Sequence, residues 1–129
     1  MPNKTIQKIN LYKTDLSDRV VEKMAKYLEQ LDIGLVDLDL SKNAITDIGL
    51  KNLANSLKIN RSIKYLNLRA NRFHEDGLNE LVDYLSNNKT LQELSLSENS
   101  ITNEGIKIFS KFLPLNNTLR HLELARCSL

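Results

Sequence analysis

An eleven-residue pattern recurs along the chain at a nearly fixed spacing, and this recurrence limits the fold more than any other feature. "LVDLDLSKNAI" begins at Leu35, "IKYLNLRANRF" at Ile63, "LQELSLSENSI" at Leu91 and "LRHLELARCSL" at Leu119, each 28 residues after the one before. "IQKINLYKTDL" begins at Ile6, 29 residues upstream of Leu35. Positions one, four, six and eleven are Leu, Ile or Phe in every copy. In a chain that is 41% apolar, this agreement in a fixed frame would arise by chance about once in 10^8.

The apolar alternation at positions four and six predicts a short strand with one face on a core. Between the copies the apolar spacing becomes helical. Leu50, Leu53 and Leu57 fall at i, i+3 and i+7, as do Leu78, Leu81 and Leu85, then Ile106, Phe109 and Leu113, and upstream Val21, Met24 and Leu28. Ser17, Thr46 and Thr102 stand where helix N-caps are expected, and His74 takes that place in one repeat. Asn60, Asn88 and Asn116 mark the helix ends, where turn or C-cap roles are expected. Each unit therefore reads as strand, turn, helix and return loop.

Repeated strand–helix units with short connections imply parallel strands and right-handed crossovers. Paired strands lie about 4.8 Å apart, whereas packed helices need about 8–10 Å. A stack with strands on one side and helices on the other must bend, with five strands on the concave face and four helices on the convex face. The expected class is α/β, a right-handed β-α solenoid, with residues 1–129 as one domain and repeat starts at 6, 35, 63, 91 and 119.

The pattern LxxLxLxxNxL, seen in Leu35, Leu38, Leu40, Asn43 and Ile45, resembles the leucine-rich repeat. Its 28-residue period and the "DIGL", "EDGL" and "NEGI" segments resemble the ribonuclease-inhibitor-like subtype. The resemblance runs from Ile6 to Leu129. It implies the solenoid fold, but no single function, because that fold serves inhibitors, GTPase activators, actin-capping proteins and immune sensors.

Position nine holds Asn43, Asn71 and Asn99 inside the apolar pattern. After the strand, the turning backbone leaves amides and carbonyls without ladder partners, at a cost of about 1–3 kcal/mol for each one buried. An amide side chain donates and accepts, so stacked asparagines are expected to satisfy the turns. Thr14 and Cys127 take this place in the end repeats. Cys127 is expected to be a structural thiol, since strand alternation puts His121 on the opposite face.

Positions three, five, seven and eight are expected to point outward from the concave face. Five basic and five acidic residues stand there, so the face is formally neutral, which argues against a phosphate-tracking groove and fits protein recognition. The binding residues expected are Tyr12, Asp37, Asp39, Tyr65, Asn67, Arg69, Glu93, His121 and Glu123, with Tyr12, Tyr65 and Arg69 as anchors. For any single one, a solvated strand residue is the plainer alternative.

His121 and Glu123, with Glu93 alongside, carry metal-ligand chemistry, but no metal, cofactor or catalytic group is expected. Phosphate loop, dinucleotide fingerprint and triad patterns are missing. The net charge of +2 gives no electrostatic reason for nucleic acid or a membrane surface. No apolar run reaches the roughly 20 residues that span a bilayer, and the polar start "MPNKTIQKIN" has no signal-peptide core. A soluble, cytoplasmic protein is expected. Four N-x-S/T sequons, at Asn3, Asn60, Asn88 and Asn116, are read as turn chemistry rather than glycosylation.

The motif of the last repeat stops at Leu129 with no helix after it. The chain is accordingly expected to be a fragment of a longer array, or to have its C-terminal edge covered by self-association. The functional expectation is a non-enzymatic protein-interaction module. The alternatives are a regulator or inhibitor of an enzyme such as a GTPase, and a microbial effector that binds a host protein in the host cytosol.

Overall fold

Five strands and four helices alternate along the chain in a computed structural model that describes residues 4–30 and 34–128. The strands are β1 (Lys8–Asn10), β2 (Asp37–Asp39), β3 (Tyr65–Asn67), β4 (Glu93–Ser95) and β5 (His121–Glu123). Each occupies positions three to five of its repeat. All pair in parallel in one sheet of order β1-β2-β3-β4-β5. The helices are α1 (Asp18–Leu28), α2 (Asp47–Leu57), α3 (Glu75–Asn87) and α4 (Asn103–Phe112), with a 3-10 turn at Leu113–Leu115. Successive helices pack side by side and cover the inward face of the sheet.

One apolar core runs through the stack. In the second, third and fourth repeats the residues at positions one, four, six and eleven are all at least 98% buried. The stripes Leu50, Leu53, Leu57 and Leu78, Leu81, Leu85 close over them from the helix side. The end repeats are looser. Ile9, Leu11, Leu119, Leu122 and Leu124 are half-buried, and Ile6, expected in the core, is 44% exposed. A residue in an end repeat has a neighbour on one side only. Leu129, expected at position eleven of the last repeat, lies outside the described residues, as does the sequon at Asn3.

The asparagine ladder is present. Asn71 Nδ2 donates to Leu40 O of the preceding repeat (3.1 Å) and to Leu68 O of its own (3.1 Å), while its Oδ1 accepts from Ile45 N (3.1 Å). Asn99 repeats this with Leu68 O, Leu96 O and Asn71 N, each at 3.0 Å. Asn43 links Leu11 O (2.9 Å) and Leu40 O (3.0 Å) and accepts from Leu16 N (2.9 Å). At the ends the bonding thins. Thr14 Oγ1 donates only within its own repeat, to Leu11 O (2.8 Å). Cys127 Sγ lies 3.7 Å from Leu96 O, half-buried against the core, and His121 is on the other face.

A second ladder joins the helix starts. The acid that opens each helix accepts from the N-cap residue of the next repeat. Asp18 accepts from Thr46 N (2.8 Å) and from Thr46 Oγ1, Asp47 from His74 N (2.7 Å), and Glu75 from Thr102 N (2.9 Å) and Oγ1 (2.5 Å). Hydrogen bonds from Thr102 hold the Glu75 carboxyl below its ordinary pKa. Thr46 and Thr102 also cap their own helices, accepting from Ile48 N and Glu104 N. Ser17 and His74 stand at the N-cap position, but their side chains make no cap bond.

These carboxylates explain the glycine of "DIGL" and "EDGL". A Cβ on Gly77 would lie 2.6 Å from Asp47 Oδ1 and 2.9 Å from Leu50 Cδ2, so a larger residue there must push the Asp47 carboxylate off its bonds to His74 N and Gly77 N. In the first repeat the same place holds Val20, which is 46% exposed.

The last helical stripe departs from expectation. Leu113 is 41% exposed and Phe112 takes its place in the core, edge-to-face with Phe109 at 6.3 Å. Pro114 has no N–H to continue the helical ladder, and the α-helix gives way to the 3-10 turn at Leu113–Leu115 with Leu113 on the outside.

Asn60, Asn88 and Asn116 build the turns ahead of the strands. Their Oδ1 atoms accept from the N–H groups two and three residues on, for example Ser62 N and Ile63 N for Asn60. Asn116 Nδ2 donates to Leu85 O (3.0 Å) and Asn60 Nδ2 to Leu28 O (3.4 Å), so two of these turns also join neighbouring repeats. Asn60 and Asn88 are 97% buried, which agrees with turn chemistry rather than glycosylation.

Candidate functional site

The outward side chains of the strands line up in rows, because parallel pairing puts equal repeat positions side by side. Position three gives Lys8, Asp37, Tyr65, Glu93 and His121 in register across the sheet. Position five gives Asn10, Asp39, Asn67, Ser95 and Glu123. Above these rows lies an open groove of about 620 Å³. Asp37, Asp39, Tyr65, Asn67, Glu93, His121 and Glu123 line it, as expected, and Lys8 and Ser95 join them.

Tyr12 and Arg69, expected as anchors beside Tyr65, do not line the groove. They belong to position seven, beyond the strands. Tyr12 is 48% exposed, with Lys42 Nζ 5.5 Å from its ring centre. Arg69 Nη2 meets Glu98 Oε1 at 2.6 Å, and Arg126 approaches the same oxygen at 3.4 Å. The bond from Arg69 lowers the Glu98 pKa, and the reciprocal bond raises that of Arg69.

Position seven is also not uniformly outward. Ser41 and Ser97 are buried; Ser41 Oγ donates to Asp39 Oδ1 (2.5 Å), and Ser97 Oγ accepts from Ala125 N (3.0 Å). The side chain makes the difference: a serine is short enough to bond at the turn, whereas Tyr12 and Arg69 reach past it. Lys13, Lys42, Ala70, Glu98 and Arg126, at position eight of the five repeats, have φ between 51° and 58°. This left-handed turn ends the strand and redirects the chain inward. Periodicity predicts a continued alternation and cannot see that turn. Its signal was the place of position eight just before the asparagine.

The floor residues differ in how far they are committed. Asp39 Oδ1 accepts from Ser41 N (2.9 Å) and its Oδ2 from Asn67 Nδ2 (3.3 Å). Glu123 Oε2 accepts from Ser95 Oγ (2.7 Å). Lys8 Nζ reaches Asp37 Oδ2 at 3.3 Å, with the Lys8 side chain 79% exposed. Glu93 is exposed and has no hydrogen-bond or ion-pair partner among the described residues. It stands in register between Tyr65 and His121. Among the described residues no group of three His, Cys, Asp or Glu is placed to hold a metal ion. The arrangement offers open, directional polar contacts beside a ring.

The Leucine Rich repeat family model matches residues 35–54 and 87–109, covering the strand, asparagine turn and much of the helix of the second and fourth repeats. The two matched stretches are leucine-rich repeats, and the chain has the leucine-rich-repeat fold. Solved structures agree on the fold. One described as "Leiomodin-1 Actin-Binding Site 2 (ABS2)" superposes with a TM-score of 0.83 at 22% identity, covering 94% of this chain and 71% of that one. A tropomodulin C-terminal domain from structural genomics of Caenorhabditis elegans superposes with a TM-score of 0.83 at 14% identity, covering 95% and 75%. A search of curated proteins finds no match in sequence. Among the described residues, no helix is long and apolar enough to cross a membrane.

Proposed function

We propose that this leucine-rich-repeat protein is a non-enzymatic binding module that docks a protein partner on its concave strand face, with residues 1–129 acting as one unit in the cytoplasm. The observation that carries this reading is the groove over positions three and five. There Tyr65, Glu93 and His121 stand side by side, and their side chains bear no load in the stacking of the repeats. A similar structure described as an actin-binding site lends support, since a protein of this fold there binds another protein, on a face its description does not give. The 28-residue period and the glycine at the third helical position favour the ribonuclease-inhibitor-like subtype.

Lysines report the two faces separately. Affinity capture from lysate, followed by amine crosslinking, should join the partner to Lys8, Lys13 or Lys42 beside the strands. Crosslinks confined to Lys51, Lys58, Lys107 and Lys111 on the helix side would contradict the reading. Purified actin belongs in the first panel of candidates.

A further inference from the structure

The charges of the strand face are sorted by row. The groove floor, positions three and five, carries Asp37, Asp39, Glu93 and Glu123 against the ammonium of Lys8. The turn rim, positions seven and eight, carries Lys13, Lys42, Arg69 and Arg126 against Glu98. A face that is neutral when summed therefore presents an acidic band beside a basic one. Glu98 already holds Arg69 and Arg126, so the cations that remain on the rim are Lys13 and Lys42, toward the first two repeats. On the floor, Asp39 and Glu123 are occupied by Ser41, Asn67 and Ser95, which leaves Glu93, with Asp37 in a weak pair with exposed Lys8.

Glu93 between Tyr65 and His121 offers a carboxylate to pair with a cation and a ring edge or face to lie against it. A guanidinium or ammonium group meets both requirements. We propose that the groove receives a lysine- or arginine-bearing segment of the protein partner. Its cation sits on Glu93 between Tyr65 and His121, and an acidic residue of the same partner meets Lys13 and Lys42 on the rim. This rests on the reading that the strand face binds a protein. The same sorting disfavours a nucleic acid, whose phosphates would have to cross the carboxylate floor.

The test titrates the isotope-labelled chain with two octapeptides, one alternating arginine and glycine, the other alternating glutamate and glycine, followed by amide chemical shifts. The arginine peptide should move Tyr65, Glu93 and His121, and weaken as salt shortens the screening length below about 8 Å. Glu93→Gln should weaken it about fivefold, as expected for one partly exposed charge pair. The glutamate peptide should instead move Lys13 and Lys42. Equal perturbation of carboxylates on the helices, such as Asp83 and Glu104, would overturn the proposal, as would an unchanged affinity in Glu93→Gln. A captured partner that crosslinks to the strand face through a segment without lysine or arginine would overturn this charge assignment while leaving the proposed function intact. Capture through the helices alone would overturn both.

Discussion

Inward and outward residues of the same short arc, from position three to position nine, follow different rules. Inward, Leu66, Leu68 and Asn71 have little freedom: each touches the repeat on either side, and the Asn71 side chain alone joins three peptide units at 3.1 Å. Outward, Tyr65, Asn67 and Arg69 meet neighbours of varied type, and the Glu93 carboxylate, beside Tyr65 and His121, has no hydrogen-bond or ion-pair partner among the described residues. The difference shows what stacking demands. A repeat must match its neighbours on the inside, while the outside can vary without loss of fold, and there recognition chemistry can be placed.

The sharpest way to break this comparison is to change one residue from each set. Asn71→Ala orphans the buried N–H of Ile45 and removes one of the two side-chain donors on each of the carbonyls of Leu40 and Leu68. It should cost about 3 kcal/mol by urea unfolding. Glu93→Gln should change stability by less than about 0.5 kcal/mol. Equal losses for the two would erase the distinction between the faces.

The turns ahead of the strands refine the inward rule. Asn60 Nδ2 has acceptors in Leu28 O and Ser62 Oγ, but the equally buried Asn88 Nδ2 has no partner among the described residues. It borders a small cavity of about 30 Å³ with Lys58, Arg61 and Tyr84, whose phenol pKa is raised well above its ordinary value by burial. Aspartate keeps the accepting oxygen and removes the donor. Asn60→Asp should therefore lose about 1–2 kcal/mol, and Asn88→Asp less than half of that, because no donor bond is given up and Arg61 is near. Thermal unfolding of both variants decides it, and a larger loss for Asn88→Asp would contradict the account.

The smallest expected effect lies in the helix-start ladder. Glu75 has a depressed pKa in the folded state, so its stabilising contribution is present above the ordinary glutamate range and is lost as pH falls through the lower folded value. Wild type should lose slightly more stability on acidification than Glu75→Gln, whose amide oxygen still accepts from Thr102 at every pH. Parallel pH profiles would show that this ladder carries no ionic component.

Much of the fold was legible because stacking writes the same demands every 28 residues. Leu38, Leu66 and Leu94 announce their strands, and Asn43, Asn71 and Asn99 their turns, before any coordinates. Local chemistry that interrupts the period was harder to read. Pro114 exchanges Phe112 for Leu113, and the left-handed residue at position eight turns the chain after the strand, so that position seven holds buried Ser41 and Ser97 in two repeats and exposed Tyr12 and Arg69, off the groove, in two others. The carboxylate ladder had a sequence signal, an acid two residues before glycine in Asp47–Gly49 and Glu75–Gly77, but its meaning needs the next repeat in place. For the site, the seven floor residues followed from strand alternation alone. The sorting of charge between floor and rim did not, since it depends on where each strand stops.

The central claim is that outward residues recognise while inward residues build. Capture of the partner by a Tyr65→Ala/Glu93→Gln double variant, matched to wild type in urea midpoint, tests it most directly. The account predicts at least a tenfold loss of captured partner, about 1.4 kcal/mol or more, at unchanged stability. Undiminished capture by the folded double variant would contradict it.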